Sequence, residues 1–120
     1  MSIVKNVPYY QNRLLTAIRD QLGHRAMWLA LLAEEAEKKG LKPEEYAGEA
    51  IRRCGCIQGC ELVKKGGGTT SLKGLKRALF TLPAQFVFEM KILESTDDKL
   101  SIDFHYCPLV GAWQKMGLSD

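Results

Sequence analysis

A chain of 120 residues is long enough for one domain with one hydrophobic core. Its 46% hydrophobic content supports such a core, and its net charge of +3 is scattered, with no basic stripe of interleaved aromatics to receive nucleic acid. No apolar run approaches the roughly 18 residues of a membrane span, and residues 1–12 lack the continuous apolar stretch of a signal peptide, so a cytoplasmic protein with reduced thiols is expected.

The first predicted element is a long amphipathic helix over about Tyr10 to Lys39. Leu14, Leu15, Ile18, Leu22, Met27, Leu29, Leu32, Ala33 and Ala36 recur there at spacings of three and four. Gly40 is placed to stop it. Gly23 weakens its middle by roughly 1 kcal/mol relative to Ala, which predicts a kink or a close helix contact. His24 reads as a core or surface residue of that helix, and Trp28 as a core anchor. A second helix opens at Pro43, with Glu44 and Glu45 complementing the dipole of its first turn. It runs to about Arg53 or Cys54, and Gly55 to Cys60 follows as a turn or a frayed continuation.

Cys54, Cys56 and Cys60 lie in this second region. Three thiols so close in sequence can converge on one soft metal, with Cys107 available as a fourth ligand. The C-x-C-x3-C spacing is not that of the usual zinc knuckle. Redox pairing and simple packing of small residues at a helix end are the competing readings. Gly66, Gly67 and Gly68 with Thr69 and Thr70 read as a mobile linker, because the lysine–serine pair of a phosphate loop is missing. Ser71 then caps a short helix from Leu72 to about Thr81, ended by Pro83.

A hairpin comes next. Phe86, Phe88, Met90 and Ile92 alternate in the first strand, and Leu100, Ile102, Phe104 and Tyr106 in the second. The turn is expected within Ser95 to Lys99. For both apolar faces to reach one core, paired positions must sum to an even number. The opposite face then collects Glu89, Lys91, Asp103, His105 and Cys107.

Asp103, His105 and Cys107 form a period-two row at the end of this strand. A thiol beside an imidazole supplies a nucleophile and its base, with an aspartate to orient the ring. Pro108 opens a helix directly after Cys107, a position where the helix dipole favours negative charge. The competing reading is a solvated hairpin face, with Lys91 pairing with Asp103 across the strands and Cys107 buried under the helix. Trp113 is a core anchor or the wall of a small-molecule pocket beside Cys107.

The block His105-Tyr106-Cys107-Pro108-Leu109-Val110, followed by Trp113 and Gly117-Leu118-Ser119, resembles the signature of the L-2-amino-thiazoline-4-carboxylic acid hydrolase family. The resemblance extends to the preceding hairpin and, more loosely, to the long N-terminal helix. It implies hydrolytic opening of a small cyclic amidine or thiazoline, with Cys107 as nucleophile and His105 moving protons. Family members usually continue past this point, and Leu118, Ser119 and Asp120 would ordinarily cap a further helix.

The expected fold is a single α+β domain over residues 1–120, or the N-terminal part of a longer family domain. Antiparallel N-terminal helices pack on a β-hairpin, and a C-terminal helix follows. The expected function is a hydrolase needing no cofactor, or a variant in which a thiolate-bound metal activates water. Its partners are a small-molecule substrate and either a second copy of the chain or a missing complementary segment, since a lone hairpin is marginal in water. The alternatives are a non-catalytic module that binds a small ligand or metal through its cysteines, and an interaction subunit using the open hairpin edge.

Overall fold

Asn12 starts the first helix by accepting the Leu15 N–H on its side-chain oxygen at 2.9 Å. The computed structural model describes residues 3–66, 68 and 70–118, and in it this helix, α1, runs Arg13–Lys38. Gly40 ends it as expected, in the left-handed region at φ +80° that glycine enters without strain. One stripe of α1 is buried, formed by Leu15, Arg19, Ala26 and Ala30. Gly23 serves the close helix contact. A Cβ there would sit 3.3 Å from the Cβ of Ala112, so its absence lets the C-terminal helix approach. Trp28 is mostly exposed rather than a core anchor, and its indole N–H donates to His24 Nε2 at 3.1 Å.

Helix α2 runs Pro43–Lys65, with the Glu45 carboxylate accepting the Lys42 N–H at 2.6 Å. It therefore continues through Cys54, Cys56 and Cys60, so Gly55 to Cys60 is the helical continuation and the alternative of a turn there is corrected. The glycines at 55 and 59 do not break it. Lys64 and Lys65 give its last turn the charge that suits a helix C-terminus. Helix α3, Leu72–Leu79, packs chiefly on α2, and Ser71 caps it by accepting the Gly74 N–H at 3.0 Å. Gly67 and Thr69, in the expected linker, lie outside the described residues.

The stretch Leu82–Val87 is a further helix, α4, and it takes in Phe86 and Val87, where the start of a strand was expected. Pro83 begins this helix rather than ending the previous one. The Arg19 guanidinium holds the α4 carbonyls of Phe86 (3.2 Å) and Val87 (3.0 Å), so Phe86 is helical and belongs to no strand. The two strands are β1, Met90–Ser95, and β2, Leu100–Phe104, antiparallel and joined by the expected turn. Met90 faces Phe104 and Ile92 faces Ile102, which obeys the even-sum rule. A bulge between Ile92 and Glu94 then shifts the register, so Ser95 faces Leu100. Phe88, Met90 and Ile102 are half-buried, and Phe104 is exposed while its ring meets Phe88 and Phe80 edge-on.

The last helix, α5, runs Pro108–Lys115 with Cys107 as its N-cap, and lies along α1. Trp113 is half-buried and anchors this packing through its indole N–H, which donates to the Ala26 carbonyl at 2.9 Å. The buried apolar core among the described residues is small, with Leu15, Ala26, Ala30 and Val87 at its centre. Ser119 and Asp120, expected to cap a following helix, lie outside the described residues.

Candidate functional site

Glu89 links α4 to β1 with a positive φ of 49°, a conformation that costs a non-glycine residue about 1–3 kcal/mol. It is held there by a buried ion pair with Arg19, whose Nη2 lies 3.1 Å from Glu89 Oε2. The Tyr9 backbone N–H also donates to both carboxylate oxygens, at 2.8 and 3.0 Å. Arg19 in turn donates to the carbonyls of Tyr10, Phe86 and Val87, and its guanidinium lies 4.7 Å from the Tyr106 ring centre. Every strong polar group in this cluster has a partner, which is what burial of a charged pair requires.

β2 ends at Phe104, so His105 and Cys107 lie just beyond the strand rather than in it. His105 N–H still donates to the Glu89 carbonyl at 3.2 Å, and Tyr106 N–H to the Phe88 carbonyl at 3.1 Å. The segment before α1 then runs across these residues like a strap. The Tyr9 ring stacks on the His105 imidazole, with centroids 3.4 Å apart and planes 8° from parallel. His105 Nε2 lies 3.1 Å from the Val7 carbonyl oxygen. Asn6 brackets Cys107: its Oδ1 accepts the Cys107 N–H and its Nδ2 donates to the Cys107 carbonyl, both at 2.9 Å.

A carbonyl oxygen only accepts, so the His105–Val7 bond requires the proton on Nε2. The neutral imidazole then carries its lone pair on Nδ1. The Glu89 Oε1 oxygen lies 3.9 Å from Nε2, beyond a hydrogen bond. His105 is thus oriented by a carbonyl and a carboxylate on one edge, with the other edge left to accept a proton. Cys107 is a half-buried free thiol at the N-cap of α5.

Asp103, expected to orient the ring, faces Lys91 across the strands and is exposed. No hydrogen bond or ion pair joins Asp103 to His105 among the described residues. The groups beside the ring Nε2 are the Val7 carbonyl and the Glu89 carboxylate instead. Tyr106 points to the opposite side, toward α1, where with Arg19, Gly23, Pro108 and Ala112 it lines a depression of about 310 Å³. Burial raises the Tyr106 phenol above its ordinary value, and the Arg19 charge partly opposes that shift.

Cys54, Cys56 and Cys60 are exposed along one continuous helix. At 3.6 residues per turn, Cys56 and Cys60 share a face and Cys54 points elsewhere. Among the described residues no three His, Cys, Asp or Glu side chains gather as a metal site. No described helix is long and apolar enough to cross a membrane.

Sequence reasoning placed Glu89 on the polar side of the hairpin and missed Arg19, Asn6 and Tyr9. Arg19 did leave a signal. It sits four residues after Leu15 and seven before Ala26, on the buried stripe of α1 where a lone charge needs a partner. A family model described as L-2-amino-thiazoline-4-carboxylic acid hydrolase matches residues 19–120. No curated protein and no solved structure matches the chain.

Proposed function

The chain belongs to the L-2-amino-thiazoline-4-carboxylic acid hydrolase family, and from that membership we propose a thiol-dependent hydrolase that opens a small cyclic amidine of the thiazoline type. The observation that supports this reading is the orientation of the His105 imidazole, two residues before Cys107 in the chain, by a bond from its Nε2 to the Val7 carbonyl. That bond leaves Nδ1 as the basic atom, which is what an activated thiol needs.

In the proposed reaction His105 takes the Cys107 thiol proton, and the thiolate adds to the ring carbon between nitrogen and sulfur. The C=N electron pair moves to the ring nitrogen, which takes a proton from the imidazolium. The exocyclic amine gives a proton to His105 and forms a new C=N bond, which breaks the ring C–N bond; its electron pair leaves with the nitrogen, which takes that proton from the imidazolium. The carbon stays on the Cys107 sulfur. Water, deprotonated by His105, then attacks this carbon. The carbon–Cys107 bond breaks, the thiolate returns and one water is consumed.

The test is ring opening of L-2-amino-thiazoline-4-carboxylate by the wild type and by Cys107→Ser and His105→Gln. Cys107→Ser removes the soft nucleophile at nearly constant volume and is expected to abolish turnover. His105→Gln is expected to lower it by about 10²–10⁴-fold, the usual contribution of a positioned base. Full activity in Cys107→Ser would move the chemistry elsewhere.

A further inference from the structure

The chain exposes 9190 Å². A folded monomer of 13.4 kDa is expected to expose about 6,500 Å². The excess is about 2,700 Å², several times the roughly 800 Å² that each partner buries in a standard interface. The radius of gyration of 16.5 Å likewise exceeds the about 13.6 Å expected for 120 residues.

Helix α2 contributes to this surface along its whole length, with none of its 23 residues buried. Its two sides differ. Gly59, Leu62 and Val63 face α3, where they line a hollow with Gly74, Leu75 and Ala78. On the other side Ala47, Ala50, Cys54 and Ile57 recur at spacings of three, four and three, the seam pattern of paired helices. Ile51 flanks the seam. Ile51 and Ile57 are 59% and 62% exposed. The small residues of the seam let a second backbone approach closely.

The charges of α2 say which backbone that is. Its first turn carries Glu44 and Glu45, and its last turn Lys64 and Lys65. An antiparallel copy of the same helix brings each acidic end beside the other's basic end and opposes the two helix dipoles. A parallel copy would stack like charges at both ends.

We propose that the chain forms a two-fold dimer through α2, packed antiparallel on its copy along the Ala47–Ala50–Cys54–Ile57 seam. Such an interface is isologous, with each α2 supplying the same surface.

Sedimentation of the full chain tests this, with two charge-reversed variants beside the wild type. One is Glu44→Lys with Glu45→Lys, and the other is Lys64→Glu with Lys65→Glu. The wild type is expected to sediment as a dimer at micromolar concentration. Each variant alone juxtaposes like charges at both ends, which raises its dissociation constant about tenfold or more. An equimolar mixture of the two pairs opposite charges again and regains the wild-type affinity. Circular dichroism confirms that each variant keeps its helix content. A wild type that stays monomeric at 100 micromolar overturns the proposal. So does a dimer that neither variant weakens, or a mixture that fails to restore association.

Discussion

At the scale of single residues, the Arg19–Glu89 pair carries the largest local stakes. Both side chains are nearly inaccessible, at 6% and 3% exposure. The pair fixes α4, the start of β1 and the segment before α1 at once. Arg19→Met keeps the stem's volume but leaves the Glu89 carboxylate buried without its cation. The expected loss is about 3–5 kcal/mol in urea unfolding. A loss below about 1 kcal/mol would mean that water reaches the carboxylate. Tyr106 sits against the same guanidinium, and burial raises its phenol above the ordinary value. A raised folded-state value favours the neutral form, so this contribution to stability is complete below about pH 10 and fades as pH rises through the folded value. The wild type is therefore expected to lose stability above about pH 10 more steeply than Tyr106→Phe. Parallel pH profiles of the two proteins would remove Tyr106 as the cause.

At the scale of elements, residues near one another in sequence were the legible ones. The cap at Ser71 is local, and so are the stop at Gly40, the opening of α2 at Pro43, the hairpin turn and the start of α5. Each was readable from turn and capping chemistry. The stretch over Leu82–Val87 was misread because Phe86, Phe88 and Met90 alternate like a strand. Its helical state rests on the Thr81–Pro83 start and on Arg19, 67 and 68 positions away in sequence. The strap was invisible for the same reason, because Asn6 and Cys107 are 101 positions apart. Its effect can be measured on the two histidines. His24 Nε2 accepts from Trp28, so neutral His24 carries its proton on Nδ1, whereas His105 carries it on Nε2. Nitrogen NMR of the neutral rings is expected to show opposite tautomers. Removing residues 1–9 is expected to mix the tautomers of His105 alone. An Nδ1-protonated His105 in the intact chain would contradict the strap's role.

At the scale of the whole molecule, the hairpin end and the strap form one unit in which Cys107, His105 and Glu89 are held by the Asn6 side chain, by backbone groups of Val7 and Tyr9 and by Arg19. The sequence motif named the candidate pair, His105 and Cys107. It could not name what orients them, because those groups are assembled by the fold. Strand pairing sets Asp103 opposite Lys91, which is the competing expectation for it. Covalent catalysis at this unit predicts an intermediate of known mass. Rapid quenching of the wild type with L-2-amino-thiazoline-4-carboxylate, followed by peptide mass spectrometry, is expected to find the substrate's mass added to the peptide that contains Cys107. Turnover with no adduct on that peptide, and undiminished turnover after Cys107→Ala, would contradict a cysteine nucleophile.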